Sequence, residues 1–307
     1  MRIDTHRHFG GSIPAQFVWE TINKLELRHL AESYDDVIKQ MVFTNDEPKS
    51  FHRFLDKFKI LDSITWTEDI IDQSIKSVCG ELENDNIDYA MMDFSINKYM
   101  SIGWHKHEAI KFIKDRFDYY RKDKIGLIIS IKYESMLASQ RQYSKLIENG
   151  IVHDSVIGID LVGDEEMYDH TIWSDLLKNW VSSNKLVRAH VGEFGPEENI
   201  TTAIKNLSVT NIAHGIKISD NNLIQLAIDN NIYFDLGLTS NYFTGVVTDE
   251  HPIANMINHG LKLTLGTDDP IICSTNLDKE YELAAKYVSD TSNLVNNAIE
   301  LYAKYKL

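Results

Sequence analysis

Eight short apolar runs recur along the 307 residues, and the stretches between them change period. The runs are Arg2 to His6, Ile87 to Ser95, Ile125 to Ile131, Val156 to Val162, Leu186 to His190, Asn211 to His214, Ile232 to Leu236 and Leu261 to Thr267. Short continuous apolar runs suit strands buried on both faces. Between them, sets such as Ile70, Ile71, Ile75, Val78 and Leu82, or Ile110, Ile113, Phe117 and Tyr120, have the 3–4 spacing of one buried helix face. A strand followed by a helix, eight times over, predicts a closed parallel α/β barrel, the (β/α)8 or TIM barrel, rather than an open sheet. The length would allow two average domains, but a barrel of this size is commonly one unit, so a single domain over residues 1–307 is expected. Residues 28–66 break the rhythm. A turn-rich stretch from Thr44 to Ser50 precedes Phe51, Phe54, Leu55 and Phe58 at helical spacing, which suggests extra helices capping the C-terminal rim.

Charge narrows the partners. The 31 Lys and Arg stand against 46 Asp and Glu, a net charge of -15 that opposes loose association with nucleic acid or an anionic membrane. A small-molecule substrate fits better. Hydrophobic residues at 43% and charged residues at 25% are ordinary for a globular chain with a sizeable core. Cys79 and Cys273 are too few for a disulfide framework and have no ligand-like spacing, so each is expected as a small buried hydrophobe. No stretch approaches the 18 apolar residues of a membrane span, and the chain opens directly into its first strand without a leader pattern. A cytoplasmic location is expected.

The histidines carry the chemistry. Side chains at i and i+2 of a strand share a face, so His6 and His8 can grip one ion. Alone, that spacing is a weak sign: His105 and His107 repeat it where a helix begins, and are expected at the surface. Position adds weight, because His6 with His8, His190, His214 and Asp268 all fall at the C-terminal ends of expected strands, the rim where such barrels build active sites. Singly, His190 could be a satisfied core histidine and Asp268 a helix cap. Three imidazoles and one carboxylate can hold a zinc-like divalent ion and leave a position for water, whose pKa such an ion lowers toward neutrality. The fourth run lacks the lysine that two-metal barrel hydrolases often modify, so one metal is the simpler reading. Glu193, three residues after His190 and following Gly192, is placed to move a proton during hydrolytic attack.

Taken together, the landmarks resemble the adenosine deaminase group of the metal-dependent amidohydrolases over most of the chain. They are Thr5 to Pro14, Phe51 to Phe58, Ile159-Asp160-Leu161-Val162-Gly163-Asp164-Glu165, His190-Val191-Gly192-Glu193, Ile212-Ala213-His214-Gly215, Leu238-Thr239-Ser240-Asn241 with Thr244-Gly245, and Gly266-Thr267-Asp268-Asp269-Pro270. The resemblance implies one zinc ion on His6, His8, His190 and Asp268, another divalent metal being the alternative. It implies a proton-transfer role for Glu193, and a His214 that accepts a proton from the attacking oxygen or steadies it electrostatically. It also implies an Asp269 that meets a purine ring nitrogen and a Gly163 N–H that donates to the base. Asp164 and Glu165 are read as the start of the next helix, outside the site. The implied reaction is zinc-dependent hydrolytic deamination of adenosine or a related 6-aminopurine. Alternatives are another aminated heterocycle or amide as substrate, or a non-catalytic metal-binding barrel. Relatives that deaminate nucleosides usually carry a ribose-binding carboxylate where this chain has Gly10, so its substrate could lack the sugar or carry a modified one.

Overall fold

All eight apolar runs become parallel strands of one sheet, in the order of the chain. The computed structural model describes residues 1–95, 106–134, 156–181 and 184–306, with the single positions 103, 144, 145 and 148. The strands are β1 (Ile3–His8), β2 (Tyr89–Ser95), β3 (Ile125–Lys132), β4 (Val156–Val162), β5 (Leu186–Val191), β6 (Asn211–His214), β7 (Tyr233–Leu236) and β8 (Lys262–Leu265). The helices are α1 (Ala15–Lys24), α2 (Tyr34–Met41), α3 (Phe51–Asp56), α4 (Lys59–Asp62), α5 (Glu68–Asn84), α6 (Lys106–Arg121), α7 (His170–Val181), α8 (Glu197–Thr202), α9 (Asn221–Asp229), α10 (Leu238–Phe243), α11 (Ile253–Asn258), α12 (Leu277–Ala284) and α13 (Ser292–Tyr305). This is the (β/α)8 TIM barrel. The apolar faces read from the sequence are the buried ones, Ile70, Ile71, Ile75, Val78 and Leu82 of α5 and Ile110, Ile113 and Phe117 of α6, except that Tyr120 of the second set is only half-buried. Both cysteines are buried. The His105 and His107 side chains lie outside the described residues. Among the described residues, no helix is long and apolar enough to cross a membrane.

Strand periodicity stacks the interior in layers, because every second residue points inward. At the N-terminal end an apolar layer of Ile3, Tyr89, Met91, Ile128, Leu186 and Tyr233 packs on Leu301 and Tyr305 of α13. Two residues further along their strands come Asp93, Arg188 and Asp235, which with Asp160 form a buried ionic layer. Two residues beyond Arg188 stands His190. The rim is therefore held above charge, not above hydrocarbon.

The barrel closes where β1 meets the segment after β8. Thr5 Oγ1 donates to Thr264 Oγ1 at 2.8 Å, the His8 N–H donates to the Asp268 carbonyl at 2.8 Å, and the Asp268 N–H donates to the His6 carbonyl at 2.8 Å. The last run was expected to reach Thr267, but β8 ends at Leu265. Asp268, three residues further on, still bridges to Arg7 of β1 and takes a left-handed conformation, φ 56°, uncommon for a residue with a Cβ.

Residues 28–66 hold α2, α3 and α4. Ser33 and Asp36 form a capping box at the start of α2. The segment lies against loops that leave the strands. Phe51 packs on Phe194 with ring centroids 4.2 Å apart, Phe43 stacks on Phe243 at 5.0 Å, and the Phe43 N–H donates to the Ile272 carbonyl at 2.8 Å. Lys57, fully buried, ties it together through the Lys39 and Val42 carbonyls and the Glu47 carboxylate.

Candidate active site

β1 turns His6 and His8 toward the barrel mouth, with their Nε2 atoms 3.1 Å apart. Asp268 Oδ1 lies 3.6 Å from the first and 3.2 Å from the second. His190 completes the group, and the four donor atoms all lie within 4.8 Å of one another. Partners behind the rings aim them. His190 Nδ1 sits 3.1 Å from Asp160 Oδ1, and His6 Nδ1 sits 3.4 Å from the Asp235 carbonyl, which leaves Nε2 of each ring for the centre. Asp160 is itself held by Arg188, whose Nε donates to Asp160 Oδ2 at 2.7 Å and whose Nη1 donates to Asp235 Oδ2 at 3.1 Å.

A tetrahedral zinc with bonds of about 2.0–2.1 Å puts its ligand atoms roughly 3.3 Å apart. The donor atoms are spaced on that scale and are of the right chemistry, so this set fits a zinc-like ion. His6 with Asp93 and Asp160 forms a second acid–histidine group. Arg188, pairing with both of its carboxylates, already supplies the positive charge there.

Glu193, two residues past the end of β5, and His214, the last residue of β6, face this centre. His214 has φ 62°, a conformation that costs a non-glycine residue about 1–3 kcal/mol and concentrates at functional positions. Its Nε2 lies 3.6 Å from Glu193 Oε2 and 3.7 Å from Asp268 Oδ2. Burial, then the charges of Asp268 and Glu165, hold the Glu193 carboxyl well above the usual carboxylate range. Burial pushes His214 down to about 3. Asp269 is likewise raised well above its ordinary value by burial and then by Asp268, and its Oδ1 is buried without a hydrogen-bond partner among the described residues. Gly11 makes room for that carboxylate, since a Cβ at Gly11 would overlap it. Gly163 follows β4 with φ 106°, three residues after Asp160, and the Glu134 carboxylate packs against it. At Gly10, a Cβ would meet the Phe58 ring at 3.6 Å.

Glu165 does not merely start a helix. It is 3% exposed, and its carboxylate accepts from the N–H groups of Gly192 at 2.6 Å, Glu193 at 3.1 Å, Phe194 at 2.9 Å and Gly195 at 2.7 Å, and from Asn199 Nδ2 at 2.9 Å. The loop carrying Glu193 is thus wrapped around one carboxylate. Asn241, from a motif that had no assigned role, donates to Glu193 Oε1 at 3.3 Å and meets His214 Nδ1 at 3.0 Å.

An eight-stranded barrel with ionisable groups gathered at the ends of its strands has the layout of a barrel enzyme. Residues 2–300 match the profile of the family described as adenosine deaminase. The chain belongs to that family and is an aminohydrolase. It is 24% identical over 309 residues to an adenosine deaminase of Shewanella denitrificans, covering 97% of this chain and 93% of that one. The fold is similar to that of an adenine deaminase from Arthrobacter aurescens, with a TM-score of 0.84 at 19% identity, covering 97% and 92% of the two chains. It is also similar to an amidohydrolase from Burkholderia ambifaria with bound Zn, with a TM-score of 0.82 at 19% identity, covering 97% and 84%.

Proposed function

We propose that the protein is a zinc-dependent aminohydrolase that releases ammonia from adenosine or a related 6-aminopurine, with His6, His8, His190 and Asp268 as metal ligands. The observation that carries this reading is the placement of a buried carboxyl (Glu193), a buried histidine (His214) and an orphaned carboxylate oxygen (Asp269) around one three-histidine, one-aspartate donor set. Bound there, zinc supplies Lewis-acid activation of a water nucleophile at neutral pH. Glu193, kept protonated by its surroundings, gives its proton to the ring nitrogen beside the amino-bearing carbon. Water adds to that carbon, one of its protons passes by way of the now ionised Glu193 carboxylate to the amine, the carbon–nitrogen bond breaks and ammonia leaves, and the other proton restores Glu193. Asp269 meets a purine ring nitrogen and so finds the partner its Oδ1 lacks, while the Gly163 N–H donates to the base. His214 holds the attacking oxygen. Residues 28–66 roof the site, a role supported by Phe51 on Phe194 and by Phe58 beside Gly10.

The relatives include both a nucleoside and a free-base deaminase. With glycine at position 10 and an aromatic ring beside it, the sugar side of the site offers less polar recognition, which favours a substrate with an absent or altered sugar. The test is ammonia release from adenosine, deoxyadenosine, adenine, AMP and modified 6-aminopurines, together with elemental analysis. About one zinc per chain is expected of a mononuclear site, lost in the His6→Ala, His8→Ala double variant. No release from any of these compounds, or full metal in the double variant, would refute the reading.

A further inference from the structure

His251 is buried, belongs to none of the motifs that pointed to chemistry, and has no part in the reaction described above. Its hydrogen bonds nevertheless lead into the site in one direction. The Ile253 N–H donates to His251 Nδ1 at 3.1 Å. A main-chain amide can only donate, so Nδ1 is the acceptor and the ring proton resides on Nε2. That Nε2 lies 3.2 Å from an amide atom of Asn241, where it can only donate, and this identifies the atom as Oδ1. An isolated amide group is ambiguous about which end is oxygen; this one is fixed by a backbone group two bonds along the chain of contacts. Asn241 Nδ2 therefore faces the site, with Glu193 Oε1 at 3.3 Å and His214 Nδ1 at 3.0 Å. Since Nδ2 has only protons to offer, His214 Nδ1 accepts, and the proton of His214 is on Nε2, the atom that faces Glu193 and Asp268.

We propose that His251 and Asn241 are a positioning pair that, from one backbone amide, sets the tautomer of His214 and holds the Glu193 carboxyl in the same gesture. The direction of the hydrogen bonds stands by itself, and only the effect on turnover rests on the function proposed above. With its proton on Nε2, His214 enters the reaction as a hydrogen-bond donor to the attacking oxygen. It cannot accept a proton there unless Asn241 turns over, and His251 prevents that turn.

The test uses the zinc-loaded full chain labelled with 15N at histidine, and reads the tautomers of His251 and His214 from side-chain proton–nitrogen correlations. Wild-type protein should show both rings protonated at Nε2. His251→Leu should leave zinc content unchanged, let His214 sample both tautomers, and lower kcat about ten- to a hundredfold with KM within about threefold, the scale seen when a supporting partner is lost. His251→Gln should restore most of the activity, because its amide can accept from Ile253 and donate to Asn241. Three results overturn the proposal: His214 protonated at Nδ1 in the wild type, unchanged tautomer and kcat in His251→Leu, or a folded His251→Gln as impaired as His251→Leu. If no aminopurine is turned over, the reaction assignment fails while the wild-type tautomers still decide the positioning claim. They also decide it if His251→Leu does not fold.

Discussion

Replacing Glu165 by Gln isolates what one buried carboxylate does for the loop that carries Glu193. The two side chains have nearly the same volume, so packing is preserved while the acceptors change. Oε2 accepts from three N–H groups, those of Glu193, Phe194 and Gly195, and Oε1 accepts from Gly192 and Asn199. Glutamine keeps one acceptor and turns an NH2 toward the remaining donors. Even in the better orientation two donors lose their partner, and at roughly 1–3 kcal/mol for each buried unsatisfied group the cost is about 2–6 kcal/mol. Part of it will appear as local opening, since the loop can move without unfolding the barrel. A loss of about 2 kcal/mol corresponds to amide exchange at residues 192–195 roughly thirtyfold faster, measured by hydrogen exchange with mass spectrometry. Turnover should fall by roughly an order of magnitude, more in kcat than in KM. The Glu165 charge also helps to raise the Glu193 pKa. Its removal lets Glu193 ionise more easily, so the alkaline limb of the pH–rate profile should move to lower pH. Unchanged exchange protection at 192–195 in a folded variant would refute the reasoning outright.

Glu193→Gln should retain zinc and lose about two orders of magnitude in kcat, as expected when a general acid or base is removed; near-normal turnover would take Glu193 out of the mechanism. Gly10→Asp should fold, because its Cβ makes only ordinary contact with Phe58, and should raise the ratio of kcat/KM for adenosine to that for adenine. A ratio that stays the same would mean that another residue reads the sugar. Burial lowers His251 from its ordinary 6.5 to about 4. Between these values the unfolded chain binds a proton that the fold refuses, so stability is full above about pH 6.5, falls as pH drops from there to about 4, and levels off below, by about 3 kcal/mol in all. Urea titrations of wild type and His251→Gln should draw apart in acid, the wild type losing stability that the variant keeps; parallel curves would rule it out.

The strands and the metal-type donors were legible in the sequence because both are local signals. An apolar run of six or seven residues needs no tertiary context to mark a buried strand. His6 and His8 share a face by spacing alone. What escaped is pairing across the barrel. Arg188 was visible as a lone charge inside an apolar run, as were Asp160 and Asp235 in theirs, and Asp93 sat in a run that held one other charge, Asp88. Three acids and one base at equivalent heights are a signal that could have been read as one buried network. Glu165 was misread because an acidic residue ahead of a helix has a ready local explanation. Its actual partners lie 27 to 34 residues away, brought near by the parallel register of β4 and β5. His251 was silent for a different reason, since its meaning lies in the direction of hydrogen bonds, and a pattern of residue types carries no direction.

The seam between β1 and the turn after β8 gives the donor set a history as well as a geometry. His6 and His8 leave the ribosome long before the backbone groups of Asp268 that bond to them, which lie 262 and 260 residues further along the chain. Until that stretch emerges, the first strand has no neighbour on one side, and the set of four lacks its only carboxylate. A nascent or truncated chain can gather two histidines, or three, but not the complete cage. The order of synthesis thereby acts as a timer. A barrel stopped short of residue 268 remains both open along one edge and chemically unfinished, so a single quality check, whether the last turn has docked on the first strand, reports on both.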